Sequence, residues 1–368
     1  MAKIREVESA DVEQVSRLTE AEGWGTTTIA GWDRLWQQNP ALASGGFARG
    51  WVLEEGGLIG GYVCNIGRLY RYAGRSLRAA SAGSLIVLPR FRGLSLQLLL
   101  QYARQNGVDL LLNTTAAPNV SQICRFLKFD RIAQPNYDVS YYWILRALPF
   151  AAAILRKINA PKFLSIGGAL APAVWLYAHG RHRHRHHLRQ AAVEGVSVSA
   201  IHPTDIDDAF DGLWERITSS CGRLLAYRTA AFLRWHFAAP PERQWPFLVV
   251  ARAQGRLIGY VAVVRQDGHR LGLARARFGD VFVEGEDPQI TKTLLAAAID
   301  EAGKRGAAMI ELVGFPETVR TVALSLKPLA LRSEAWPFVY RARDRELHTA
   351  LARQESWYAS LFDGDGSL

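Results

Sequence analysis

The chain has 368 residues, 49% hydrophobic and 21% charged, with a formal net charge of +10. That is material for two packed domains or one large one, and it excludes wholesale disorder. The 32 Gly and 15 Pro show no short period, and three cysteines, Cys64, Cys124 and Cys221, are odd in number and widely spaced. Collagen-like and disulfide-scaffold classes are therefore excluded, no metal site is expected, and a reducing compartment is implied. The start, Met1 to Gln14, lacks the apolar core of a secretion signal, and no uninterrupted run of about eighteen apolar residues occurs, so a cytoplasmic protein without a spanning helix is expected.

Taken in chain order, the elements repeat. A short strand from Ile4 leads to a helix capped at Asp11, with Val12, Val15 and Leu18 on one face. A hairpin follows, its second strand opening Leu58-Ile59-Gly60, then a strand Gly83–Val87, a helix from Ser95 to near Arg104, and a strand Val108–Leu112. The same series returns from Val198: a cap at Asp205 before Ile206, Ala209 and Leu213, then Leu257-Ile258-Gly259, Gly279–Val283, a helix from Ile290 to near Arg305, and Ala308–Leu312. An offset that stays near about 195 residues across these elements marks a tandem duplication. The expected organisation is α+β, with domains at 1–144 and 195–345, each a mixed, mostly antiparallel sheet flanked by helices, a connector at 145–194 and a tail at 346–368.

Much of the excess charge sits in the connector, where Arg146, Arg156, Lys157, Lys162, Arg181, Arg183, Arg185 and Arg189 face one acid, Glu194. Apolar stretches alternate with basic ones, broken at Pro149, Pro161 and Pro172, and end in a run of Arg and His over 181–187. Such a segment either packs between domains or lies on an anionic membrane surface, which would make the protein membrane-peripheral. Arginines between the histidines place repelling charge among any metal ligands, so the run is read as a solvated basic loop.

The motif with chemical content is Val87-Leu-Pro-Arg-Phe-Arg-Gly-Leu-Ser95, where a strand runs straight into a Leu-rich helix. N–H groups at a helix start, its dipole and two arginines make a site for a diphosphate. Read as Arg90-x-x-Gly93-x-Ser95, the loop resembles the acyl-CoA loop of the GNAT (GCN5-related) N-acyltransferase superfamily, with Ser in place of the last Gly or Ala. The segment from Asn119 to Phe129 resembles the GNAT helix that Asn opens and Leu-Gly-Phe ends, with Lys128 where Gly is usual. Phe126 stands about where many members carry a Tyr that protonates the leaving thiolate, so that role must fall elsewhere; Phe126 and Phe129 are expected in the core.

The resemblance implies transfer of an acyl group, acetyl in the simplest case, from acetyl-CoA or another acyl-CoA to an amine. Leu85, Ile86, Val87, Arg90, Arg92, Gly93, Leu94, Ser95, Leu96 and Asn119 would bind the donor. In the second half the matching turn carries Glu284, Glu286 and Asp287, which repel a diphosphate; that half is expected to recognise the acceptor, an amine-bearing small molecule, amino sugar, peptide or cell-envelope precursor. Asp280 and His236 are the catalytic candidates, although Asp280 has an alternative as the ion-pair partner of Arg275 or Arg277. Arg228, Arg234 and Trp235 are candidates for gripping the acceptor, with a core role as the alternative for Trp235. Cys124 has no His or acid beside it and is not expected to be a nucleophile. Two other readings remain: a Fem-type transferase using aminoacyl-tRNA, the one case in which a nucleic acid would be a partner, and a non-catalytic membrane-peripheral scaffold with degenerate transferase folds.

Overall fold

The computed structural model describes residues 2–21, 28–115, 118–157, 193–240, 242–268, 271–332 and 338–368. Strands in the first half are β1 (Lys3–Glu6), β2 (Gly50–Glu55), β3 (Leu58–Tyr72), β4 (Arg75–Val87), β5 (Leu110–Asn113), β6 (Asp130–Arg131) and β7 (Val139–Ile144). Those in the second are β8 (Val196–Ile201), β9 (Leu225–Ala226), β10 (Phe247–Ala253), β11 (Arg256–Arg265), β12 (Arg275–Val283), β13 (Met309–Leu312), β14 (Leu329–Arg332) and β15 (Val339–Ala342). They form two mixed sheets, ordered β1-β2-β3-β4-β5-β15-β6 and β8-β10-β11-β12-β13-β7-β14. Each contains one parallel pair bridged by a helix, β4 with β5 and β12 with β13, and is otherwise antiparallel.

Laid side by side, the two orders are the same, and the duplication read from the sequence is present strand for strand. One feature departs from a simple tandem. β7 pairs with β13 and β14 in the second sheet, and β15 pairs with β5 and β6 in the first. The halves have exchanged their equivalent strands, so a cut at residue 144 separates β7 from its sheet and takes β15 away from β6.

Burial agrees with this interlock. One core packs under the first sheet around Val15, Trp32, Val52 and Leu98, and another under the second around Phe278, Leu294 and Ile310. A third draws on both halves, joining Tyr70, Leu77, Leu110 and Tyr340 to Phe210, Trp214, Tyr260, Trp357 and Phe362. The long β3–β4 hairpin extends this interface, β3 pairing at Tyr70 and Arg71 with β9. Of the connector, Ala147–Lys157 is a helix with Pro149 in its first turn, where a missing N–H costs nothing. The rest of the connector to residue 192, with the Arg- and His-rich run at 181–187, lies outside the described residues, and with it most of the segment read as either packed between domains or lying on an anionic membrane surface. No helix among the described residues is long and apolar enough to cross a membrane.

Candidate functional site

β4 ends at Val87 and turns at once through Pro89–Leu94 into the helix Ser95–Arg104. The turn is pinned from beneath: Leu88 N–H donates to the Gly60 carbonyl at 2.8 Å, and a Cβ on Gly60 would stand 2.1 Å from the ring of buried Phe91. Glycine in Leu58-Ile59-Gly60 is thus what lets Phe91 anchor the loop. Arg90 lies over the Phe91 ring at 4.5 Å, while Arg90, Arg92 and Gly93 are exposed. Ser95 is the first helical residue, its N–H bonded back to Arg92, and Leu94 at the cap position offers no side-chain acceptor. With no acid in the first turn, the positive end of the helix and two arginines share one surface without an internal anion. Leu96 is 37% exposed beside them.

Leu85, Ile86 and Val87 lie at the end of β4. β4 pairs with β5 from Ala79 to Ala82; from Gly83 to Val87 it keeps β3 on one side and, among the described residues, no strand on the other. Within that stretch Ser84 takes a left-handed φ of 44°, and Ser84 and Leu85 together face Val63 across a bulge. The result, among the described residues, is a splayed edge of β4 that leads from the loop towards the end of β5. Asn119 falls in the first turn of the helix Pro118–Phe126, and its side chain lies outside the described residues. Phe129 is in the core as expected, but Phe126 is 75% exposed, because it sits on the outer face at the end of that helix.

The matching turn in the second half satisfies itself. Asp287 accepts from the N–H groups of Gln289 and Ile290, capping the helix Pro288–Lys304 with a carboxylate. Glu284 pairs with Arg216 and Arg256, and Glu286 with Arg223 and Thr318. A diphosphate would meet an occupied helix end.

The catalytic candidates have other duties. Asp280 is fully buried and receives Arg228 in a bidentate pair at 2.8 and 3.0 Å, Tyr260 at 2.7 Å and Ser360 at 2.9 Å, so no lone pair is left for a substrate proton. Its partner is therefore neither Arg275 nor Arg277; these turn to Glu311 on the neighbouring strand β13. Arg228 grips an acid of its own core, ringed by Phe282, Tyr358 and Phe362. His236 is 1% exposed; its Nδ1 accepts from Arg68 at 3.0 Å, which leaves Nε2 to donate to Ser367 at 2.8 Å. Burial, then the nearby arginines, hold its pKa well below the ordinary imidazole value. It is a fixed neutral strut without a free lone pair. Trp235 is buried under Arg68 and donates to the Arg34 carbonyl, so its face is not open to a sugar. Arg234 is exposed and donates to the Ile206 carbonyl. Burial pushes the Cys124 thiol up to about 11, leaving it protonated and unreactive at neutral pH.

The structure brings a different acid to the splay. After Phe362, which is fully buried, the last residues run between the halves: Arg68 donates to the Gly364 carbonyl, Tyr70 to the Asp363 carbonyl, and a Cβ on Gly364 would overlap Thr114. Asp365 then sits across the gap where β4 and β5 part. Its carboxylate accepts from Thr114 at 3.1 Å and from Thr115 at 3.0 and 3.2 Å, beyond the end of β5. On the opposite side, Oδ2 would lie 3.2 Å from a Cβ on Gly83 of β4. Among the described residues no basic side chain is in hydrogen-bond contact with it. Burial raises its pKa, and the threonine hydroxyls offset only part of that. The sequence signal was the alternation Asp363-Gly-Asp365-Gly, which reads as a solvated tail unless the close approaches at Gly83 and Gly364 are known.

No protein-family model and no curated protein matches the sequence. Solved structures do match the fold. A GCN5-related N-acetyltransferase from Kribbella flavida aligns over 93% of this chain and 71% of its own, at a TM-score of 0.55 and 14% identity. One from Anabaena variabilis aligns over 94% and 73%, at 0.56 and 10%. The N-myristoyltransferase of Saccharomyces cerevisiae, solved with bound myristoyl-CoA, aligns over 93% and 83%, at 0.53 and 14%. The chain has the GNAT fold, in two copies.

Proposed function

We propose that this protein is an N-acyltransferase that holds acyl-CoA in its first half and transfers the acyl group, acetyl in the simplest case, to an amine. The observation that carries the reading is the asymmetry of the two equivalent turns. One presents an uncapped helix start with Arg90 and Arg92; the other fills its helix start with Asp287. A diphosphate on the first turn would be met by N–H groups, dipole and guanidiniums together. From there the unpaired edge of β4 offers amide groups to the pantetheine arm, as a sheet edge does to an added strand. Gly83 lies four residues back from Val87, about 13 Å along the strand, which delivers the thioester to Asp365.

In this scheme the acceptor arrives as an ammonium ion and gives one proton to the Asp365 carboxylate. The neutral amine attacks the thioester carbonyl, the C–N bond forms as the C–S bond breaks, and CoA leaves as the thiolate, which takes the second amine proton through water. Asp365 returns its proton to solvent. Thr114 and Thr115 fix the carboxylate, and its raised pKa makes it a stronger base than a free one.

Calorimetric titration with acetyl-CoA tests the donor site. Arg92→Ala should weaken binding about tenfold, near 1.5 kcal/mol for one charge-assisted contact. Unchanged affinity would reject the assignment.

A further inference from the structure

The ends of two helices in the first half meet on one side chain. Arg341 of β15 donates to the Ala103 carbonyl at 2.5 Å and to the Leu127 carbonyl at 2.9 Å, in the last turn of Ser95–Arg104 and just past Pro118–Phe126. The residues that follow those carbonyls, Arg104 and Lys128, are exposed cations, and so are Arg125 and Arg131 to either side of Lys128 in the chain. Among them Phe126 is 75% exposed, on the outer face that its helix shares with Gln122 and Arg125. Ser95–Arg104 runs about 15 Å away from the donor loop, so this surface is not the loop's own.

The charge here is not absorbed locally. Between Leu88 and Phe129 the one acid is Asp109, which accepts the Arg78 N–H at 2.8 Å, and Asp130 is held by His348 at 2.8 Å. Arg104, Arg125, Lys128 and Arg131 have no ion-pair partner among the described residues. Cations complement the dipole at a helix C-terminus, but Arg341 and Arg343 already take that part through the carbonyls of Ala103, Leu127 and Gln105. The second half supplies a control. Its equivalent helix, Pro288–Lys304, also ends in two cations, yet Lys304 pairs with Asp300 at 2.8 Å and Arg305 with Glu301 at 2.7 Å. Lys128, moreover, holds a left-handed φ of 62°, where glycine is the easy residue.

The arrangement selects a partner. A bilayer surface needs a continuous apolar area to enter it. Among the described residues Phe126 is the one large hydrophobic side chain exposed at this end of the two helices, with Leu96 about 12 Å further up its own. A single ring among cations matches a strand of nucleic acid, whose unpaired base stacks on an aromatic face while its phosphates meet guanidinium and ammonium groups. We propose that this end of the first half binds single-stranded nucleic acid, with a base on Phe126 and phosphates on Arg104, Arg125 and Lys128. The proposal is independent of the acyltransferase reading.

Fluorescence anisotropy of the full chain with a labelled oligouridylate of about twelve nucleotides tests it. Binding is expected at low salt, with log affinity falling against log salt at a slope of about −2, from roughly −0.7 for each of three phosphates. Phe126→Ala should weaken binding about tenfold and leave the slope unchanged, whereas Arg125→Gln should make the slope shallower by about 0.7. Lys128→Gly, which suits the left-handed backbone, should keep the thermal midpoint at or above the wild-type value and still weaken binding. Lys304→Gln combined with Arg305→Gln removes paired charge and should change nothing. An equal loss in that double variant would mean attraction by net charge alone, and wild-type affinity in Phe126→Ala would mean that no base sits on the ring; either result, or no binding at low salt, overturns the proposal. Weaker acetyl-CoA binding in Arg125→Gln would overturn it too, by making this surface part of the donor site. So would attachment to phosphatidylserine vesicles, lost in Phe126→Ala, that is tighter than binding to the oligonucleotide.

Discussion

Thr115 Oγ1 lies 3.0 and 3.2 Å from the two carboxylate oxygens of Asp365, a contact that closes the gap between β4 and β5 with a residue 250 positions further along the chain. Because burial raises the Asp365 pKa above its ordinary 3.8, the native state holds more protons than the unfolded chain in the window between those two values. Stability therefore falls as pH rises through that window, and the ionised carboxylate is a local cost at neutral pH. Asp365→Asn should raise the denaturant midpoint at pH 8 while reducing acyl transfer by about 100-fold and abolishing the acid limb of the kcat/KM profile. A variant with full activity and an unshifted acid limb would remove Asp365 from the chemistry.

Asp280 makes the opposite case. Its bonds to Arg228, Tyr260 and Ser360 are all internal, so it acts on stability. Asp280→Ala leaves Arg228 charged and unpaired in the core, a loss of about 3 to 5 kcal/mol by denaturant unfolding. Acetyl-CoA affinity of the folded fraction should be unchanged; a selective loss of transfer with normal stability would return Asp280 to the list of catalytic residues.

The donor loop was legible because its grammar is local: strand, Pro, Arg, Gly and helix follow one another, and the repeat supplied a contrast in Glu284 and Asp287. The alternation that marks Val139–Ile144 as a strand says nothing about which of two equivalent sheets it joins, so the exchange with Val339–Ala342 was invisible. The sequence offers Asp280 as a catalytic candidate or as a partner for an arginine of its own strand, yet Arg277 lies in register with Glu311 on β13 and is satisfied there, and Asp280 meets Arg228, distant in sequence, instead. Trp235 and His236 look like cleft residues on a helix, and became interior ones because the β3–β4 hairpin brings Arg68 onto them. Asp365 was missed for the same reason: its surroundings come from residues 83, 114 and 115, none of which is near it in sequence.

The anchor under the loop is a sharp test of how the donor site is held. A methyl group on Gly60 cannot coexist with Phe91 at 2.1 Å, so Gly60→Ala must displace the ring and with it Arg90 and Arg92. Acetyl-CoA affinity should fall by about tenfold or more, the value of at least one charge-assisted contact. Phe91→Ala in the same background should recover part of the loss by removing the clash. If Gly60→Ala binds acetyl-CoA as the wild type does, the loop is not positioned through this contact.

The exchanged strands set the unit of folding. A fragment of residues 1–144 keeps β7 but has no second sheet to receive it, and β6 loses β15, its ladder partner among the described residues. It also exposes Tyr70, Leu77 and Leu110, which belong to the core shared with the second half. The fragment should therefore show no cooperative thermal transition and should aggregate through its unpaired edge at β5. Co-expression of 1–157 with 193–368 supplies both partners, and the two pieces should co-purify as a complex with one transition and wild-type acetyl-CoA binding. A sharp transition from 1–144 alone, by circular dichroism or calorimetry, would show that the first sheet is complete without the strand it borrows.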